Sequence, residues 1–367
     1  MIYVLIAVIL FFFIFLEKQN SIKRNHLFII CGSFIFILFA FRGENVGGDT
    51  LEYVRFFTNK GSSYGSLDYN DLELGFNLFV EFFQKISITP FCFILFSTLV
   101  TIIPFFLFVR KYGTSYVLPF LYILCFISFT VCIETNLRQD IAVGAFLLAL
   151  YIFISVKDKK KYIYLLCILL LVFSLIGHNT NLVVVPLFIG MLFIKFNKKI
   201  TIPLMAISYV VSLVTTAYFS DLFYYVNVLF ANTEIFSHYS DYGNNGFYEL
   251  GDTASFNFLT LSMTLWPILN IAACDDEEEN NMYMKCMVIN CVVYNFCCSF
   301  PIAFRMIYLF QYLSLCYVPK KVLTDRRYFM INVIFILSWL RVLFNTAVTP
   351  AVQNQDAHMF PYNFIWE

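Results

Sequence analysis

The sequence predicts an all-α, polytopic integral membrane protein, and three observations carry that prediction. Hydrophobic residues make up 60% of the 367 and charged residues only 13%, with a mean hydropathy of +0.76. That composition excludes a soluble domain with a charged surface as the main architecture. The apolar residues gather into runs long enough to cross, or nearly cross, a bilayer, and the basic residues fall unevenly on alternate sides of those runs. Formal charge is zero, with 24 basic and 24 acidic residues. No global field marks the chain as a nucleic-acid binder, and no nucleic acid is expected as a partner.

The runs fall at about 1–16, 27–41, 90–109, 116–133, 141–156, 162–177, 182–196, 200–219, 254–274, 286–304, 306–318 and 328–344. They predict about 12 transmembrane helices in a single domain, 1–367. The first run starts with no basic residue ahead of it and no small-residue cleavage site, so a retained helix is expected rather than a signal peptide. Several runs are shorter than the roughly 20 residues a spanning helix needs, and their ends must recruit flanking polar residues or tilt little. Residues 74–89 have helical apolar spacing but carry Glu81 and Lys85, which suits an interfacial or re-entrant helix. Two segments between runs are long, 42–89 and 220–253. The second holds no Lys or Arg, and its many aromatics argue against disorder.

Basic residues resist translocation, so their distribution sets orientation. With the N-terminus outside, 17 of the 24 lie on the inner side, among them Lys18, Arg24, Lys160, Lys198, Lys285 and Lys320. Both long segments then face outward. The acidic run Asp275 to Glu279 falls inside, which the rule tolerates. Most of the 11 cysteines sit inside apolar runs without C-x-x-C spacing, and they read as small buried hydrophobes rather than zinc or redox ligands. No metal site and no cofactor are expected.

The stretch from Phe41 to Phe57 breaks the apolar pattern. It places Arg42, Glu44, Asp49, Glu52 and Arg55 around Gly43, Gly47 and Gly48. Glycines let a backbone approach a ligand closely, and an arginine beside them offers a fork of donors to an anion. An ordinary solvated loop has the same composition. Three outer arginines, Arg42, Arg138 and Arg305, stand at helix mouths, where a cation needs a polar cavity and a partner. For Arg138 the plainer alternative is an ion pair with Glu134 or Asp140 that orders the turn; for Arg305 it is an interfacial anchor. His178, in a polar gap between two runs, is a candidate to position or deprotonate a hydroxyl, or else a helix cap. Asp49 is the carboxylate expected to orient it. Asp49, Glu52 and Glu73 are the outer acids able to serve as acid, base or ligand, and spacing does not choose among them.

In order along the chain stand Arg42 with Val46-Gly47-Gly48-Asp49-Thr50-Leu51-Glu52-Tyr53, Glu73-Leu74-Gly75-Phe76, Arg138-Gln139-Asp140-Ile141-Ala142, His178-Asn179-Thr180, Arg305-Met306-Ile307-Tyr308 and Pro361-Tyr362. This ordered set resembles the EpsG and Wzy-like family of bacterial polysaccharide polymerases. Asn179 departs from the small hydroxyl residue that usually follows the histidine. The resemblance implies a glycosyltransferase of the bacterial inner membrane, active on its periplasmic face, that joins oligosaccharide repeat units carried on undecaprenyl pyrophosphate into O-antigen, capsule or exopolysaccharide. On it, His178, Asp49 and Glu73 are expected as catalytic groups, Arg42, Arg138 and Arg305 as pyrophosphate ligands, and Gly47, Gly48, Tyr53 and Gln139 as sugar and loop contacts. The lipid bilayer and a chain-length regulator protein are the further partners implied. A lipid-linked oligosaccharide flippase or other transporter is the alternative. It should show repeated halves with broken helices near the midplane, and Pro104, Pro119, Pro186 and Pro267 do not pair into halves.

Overall fold

The computed structural model of the protein describes residues 2–44, 46–47, 50–58, 72–86, 88–126, 136–156, 160–213, 258–297 and 305–348. Among them every regular element is helical: α1 (Ile2–Lys18), α2 (Arg24–Ala40), α3 (Thr50–Thr58), α4 (Leu74–Lys85), α5 (Pro90–Tyr112), α6 (Leu118–Cys125), α7 (Leu137–Ser155), α8 (Lys161–Gly177), α9 (Asn181–Phe193), α10 (198–213), α11 (Phe258–Ala273), α12 (Met282–Cys297), α13 (Tyr308–Leu315), α14 (Lys320–Thr324) and α15 (Arg326–Val348). Two 3₁₀ turns, Glu278–Asn280 and Arg305–Ile307, precede α12 and α13.

Each of the twelve apolar runs overlaps one of these helices. Overlap does not make each a span. Among the described residues three helices are long and apolar enough to cross a membrane: α5, α7, and Arg326–Phe344 of α15. The α2, α8 and α9 helices and Leu261–Ala273 of α11 are apolar but shorter. At 1.5 Å per residue the 13 residues of α9 reach only about 20 Å, short of the roughly 30 Å hydrocarbon core. The 220–253 segment lies outside the described residues.

Local chemistry explains the long helices. The α5 helix opens on Thr89, whose hydroxyl accepts from the Cys92 N–H at 3.3 Å, with Pro90 at the first helical position, where its missing N–H is harmless. It closes with Arg110 and Lys111 in the last turn, beside the negative end of the helix dipole. In the main core Trp266 packs edge to face with Tyr122, Phe126 and Trp339, and Phe126 lies tilted on Trp339. The Asn332 side-chain oxygen accepts there from both Tyr122 and Trp266 at 3.0 Å, so those two buried donors are satisfied.

The 42–89 segment is not a plain polar loop. Its described part holds α3 and α4, which dock through a second apolar cluster: Tyr53, Phe56, Phe57, Phe76, Val80 and Phe83 against Phe93 of α5 and Leu137 and Ile141 of α7. Phe57 and Phe93 stack at 4.7 Å. The helical expectation for 74–89 is met over Leu74–Lys85.

The helices also sort charge by end. Arg24 opens α2 and Arg42 follows its close; Lys161 opens α8 and His178 follows its close. At the lysine-bearing end the connections knit together. Arg24 donates to the Thr114 carbonyl at 2.7 Å, Lys285 to the Leu192 carbonyl at 3.0 Å, and Glu278 accepts from the Tyr317 hydroxyl at 2.6 Å and the Lys320 N–H at 3.2 Å.

Candidate functional site

At the other end Glu73 is the meeting point. It is the extended residue just before α4, where the positive end of the helix dipole favours a carboxylate. Its Oε2 accepts from Arg138 Nη1 at 2.7 Å, and its Oε1 faces His178 Nε2 at 3.7 Å. Arg138, in the first turn of α7, also donates through Nε to the Tyr53 hydroxyl at 3.1 Å.

Small residues bring these groups together. A Cβ on Gly75 would lie 2.7 Å from both the Cα and the N of Gly177, and a Cβ on Gly177 would lie 3.1 Å from the Cβ of Ala142. Gly75 stands two residues after Glu73, Gly177 one before His178, and Ala142 one turn beyond Arg138. The close crossing of α4, α8 and α7 therefore sets the reach of all three polar side chains.

The histidine's other nitrogen is engaged too. His178 Nδ1 accepts from the Thr180 N–H at 3.3 Å and lies 2.8 Å from Thr180 Oγ1. Gln139 Nε2 donates to that hydroxyl at 3.2 Å, and to the Arg305 carbonyl at 2.6 Å. A consistent chain results: Gln139 donates to Thr180, Thr180 to Nδ1, and Nε2–H points at Glu73, which fixes the tautomer.

Electrostatics follow the geometry. Burial pushes the Glu73 carboxyl up, but the Arg138 guanidinium and the backbone outweigh it and hold the group below its ordinary value. Glu73 is thus ionised. His178, only 3% exposed, is pushed down to about 3, chiefly by burial, with Arg138 and Arg305 adding to the effect and Glu73 opposing it. The imidazole is therefore neutral. It is not poised near 6.5, and the carboxylate that faces it is Glu73; Asp49 and Gly48 lie outside the described residues.

The other expected residues are placed as follows. Gly47 is buried with φ 94°, a left-handed conformation that glycine adopts without strain, and its carbonyl accepts from Thr50 N–H at 3.1 Å. Tyr53 is buried, its ring edge-on to Phe76, so its described polar contact is with Arg138 and not with an open sugar platform. Arg42 is fully buried, donating to the Phe39 carbonyl at 2.6 Å and to Thr98 at 3.1 Å, and interacting electrostatically with the buried Asp140. No described contact joins Arg42 to Glu73, Arg138 or His178. Arg305 half-emerges from its 3₁₀ turn close enough to bias His178. Arg138 forms its ion pair with Glu73, 65 residues away, where the sequence offered Glu134 or Asp140.

Thr180, Asn136 and Tyr308 are participants to which the sequence reading gave no role of their own. Asn136 donates to the Tyr308 hydroxyl at 2.9 Å and ties the start of α7 to α13, while Tyr312 donates to Asp140 at 3.4 Å. A hydroxyl two residues after a histidine in a polar gap was the available signal for Thr180.

The profile of the EpsG family matches residues 25–364, nearly the whole chain and every residue of this cluster. No curated protein and no solved structure matches the chain. The order of the motifs and the extent of the match agree: the chain belongs to the EpsG family, a family of Wzy-like polymerases.

Proposed function

We propose that the protein is a polysaccharide polymerase, a glycosyltransferase that joins undecaprenyl-pyrophosphate-linked oligosaccharide repeat units at the outer face of the bacterial inner membrane. The observation that carries this reading is the Glu73–Arg138–His178 cluster, an ionised carboxylate and a neutral imidazole held beside two arginines at the helix mouths. Family membership supports a role in polysaccharide biosynthesis.

In the proposed reaction an acceptor sugar hydroxyl attacks the anomeric carbon of the donor chain. The bond from that carbon to the pyrophosphate breaks, and its electron pair leaves on the pyrophosphate oxygen. Arg138 and Arg305 stabilise that developing charge. The hydroxyl proton passes to Glu73. Its Oε1 is the oxygen not engaged by Arg138, and the 3.7 Å gap to Nε2 is where the hydroxyl enters, with His178 donating to the hydroxyl oxygen and holding it. Donor binding helps this step. A pyrophosphate that competes for the Arg138 guanidinium loosens the ion pair and makes Glu73 a stronger base. The buried Gln139 Oε1 has no described partner and offers an acceptor to a sugar hydroxyl. In this reading Asp49, two residues after Gly47 in the sequence, serves as a second acid of the reaction. Arg42 is set back, a buried charge that braces α2 against α5.

The test is reconstitution of purified protein with a lipid-pyrophosphate oligosaccharide. A ladder of longer glycans supports the polymerase. Movement of the lipid-linked substrate across proteoliposomes without any lengthening would assign the chain to transport instead.

A further inference from the structure

At the lysine-bearing end, between the close of α1 and the opening of α2, lies a recess of about 220 Å³ lined by Ile14, Glu17, Lys18, Asn20, Arg24, Thr114, Leu323 and Phe329. It shares no lining residue with the Glu73 cluster. Two cations face it without a carboxylate partner among the described residues. Lys18 Nζ stands 3.7 Å above the centre of the Phe329 ring, and Arg24 lies over Tyr116 at 4.5 Å while spending one N–H on the Thr114 carbonyl. Most of the guanidinium's five donors remain available. The single acid present is already engaged: Glu17 accepts from the Ser115 hydroxyl at 2.5 Å and from the Tyr116 N–H at 2.6 Å. Asn20 turns the chain in the left-handed conformation, φ 53°, so that the α1–α2 connection closes over the recess.

The other wall is apolar. Ile14, Leu323 and Phe329 form it, and Phe15, 38% exposed, packs edge-on to Phe329 and extends it to the outer surface of the bundle. A site with two cations at its mouth and an aromatic wall running out along the helices suits an anion that carries an apolar tail.

We propose that this recess binds the phosphate headgroup of an anionic phospholipid, with Lys18 and Arg24 on the phosphate and the acyl chains along the Phe329–Phe15 wall. Basic recesses between helices on the lysine-rich side of a membrane protein have the chemistry for such headgroups. The bound lipid pins α1 to α2 and α15 at the end away from the Glu73 cluster.

The experiment is native mass spectrometry of the full chain in detergent with phosphatidylglycerol, phosphatidylcholine, glycerol 3-phosphate or inorganic phosphate. Retention of phosphatidylglycerol over phosphatidylcholine is expected. Lys18→Gln should lower that retention about fivefold, and adding Arg24→Gln about fivefold more. Lys160→Gln with Lys161→Gln, at the same end but outside the recess, should leave it unchanged. Should Arg24→Gln unfold the chain by losing the Thr114 bond, Lys18→Gln alone decides, since no backbone bond is given up. Equal retention of the two lipids, undiminished retention in Lys18→Gln, an equal drop in the Lys160/Lys161 control, or full displacement by millimolar glycerol 3-phosphate or inorganic phosphate would each overturn the proposal, the last by making the site one for soluble phosphate.

Discussion

Arg138 and Lys198 both pair with carboxylates, at opposite ends of the molecule. Arg138 meets Glu73 at 2.7 Å with the two side chains 19% and 9% exposed; Lys198 meets Asp276 at 3.5 Å with 35% and 96% exposed. Burial makes the first contact an obligation, because either charge left alone would face a large desolvation penalty. Water makes the second nearly optional. One end of this chain therefore stakes its charge on geometry, with a chain of bonds running from Gln139 through Thr180 to His178, whose far nitrogen faces Glu73. The other spends its charge on number, and number is what a membrane reads when it sets orientation. The difference teaches where to look for chemistry in a mostly apolar chain: at the charges whose partners are far away in sequence.

The largest effect expected from breaking that contrast is at Glu73. Glu73→Gln keeps the shape and an acceptor for Arg138 but removes the base. Polymerisation by reconstituted protein should fall by about 10²–10⁴-fold, while donor binding, read by retention of the lipid-linked oligosaccharide, persists. Asp276→Asn, its counterpart at the lysine-bearing end, should leave the glycan ladder unchanged. A full ladder from Glu73→Gln would return the role of base to Asp49.

The glycine crossing comes next. Gly75→Ala forces a Cβ to within 2.7 Å of the Gly177 backbone, and neither backbone can yield without moving α4. A loss of about 1–3 kcal/mol is expected, together with a drop in turnover as Glu73 is carried away from His178. Gly190→Ala, where a Cβ would meet nothing within 4 Å, should instead stabilise α9 by roughly 0.5–1 kcal/mol. Thermal melts of the two variants in one detergent check both signs.

These two glycines also show how far the sequence could be read. Apolar runs mark where helices lie, because burial in lipid or core leaves a continuous signal, and the ordered motifs gather Glu73, Arg138, His178, Gln139 and Arg305 into one candidate site. Partner choice was not legible. That His178 faces Glu73 follows from Gly75 lying on Gly177, a contact between residues about a hundred positions apart that no local spacing encodes. Nor could composition show that Tyr53 and Arg42 are buried. The aromatics of 42–58 look like a solvated loop until Phe93 and Leu137 are seen beneath them.

Acid should separate the two ends more gently. The unfolded His178 takes a proton near pH 6.5, whereas the folded imidazole resists until about 3. Between those values the unfolded chain binds more protons, so stability falls as pH falls, by about 1 kcal/mol from pH 6.5 to 5.5. Glu73, held below its ordinary value, adds a further loss only below about pH 4.3, where the unfolded carboxyl protonates. His178→Gln should flatten the curve from pH 6.5 down to about 4.3 and leave, below that, the loss that Glu73 contributes. An unchanged slope in that variant would mean that the imidazole is hydrated and titrates normally.

The smallest effect is expected at Lys198. Its ammonium is 3.5 Å from Asp276, and that carboxylate is almost wholly in water, so the attraction is screened and two long side chains must be held still to keep it. Lys198 also lies 3.4 Å from the Cys274 carbonyl at the end of α11, a bond water can replace. Lys198→Ala should change stability by no more than about 0.5 kcal/mol, and less in high salt, with turnover unaffected. Arg138→Ala in parallel should lose about 3–5 kcal/mol by stranding Glu73 inside the cluster, and raising the salt should restore little of it, because ions do not reach a contact this buried. Chemical denaturation of both variants at low and high salt measures the gap directly. Equal losses would mean that the Glu73–Arg138 pair is as wet as the Lys198–Asp276 pair, and the two ends of the molecule would then differ in position but not in physics.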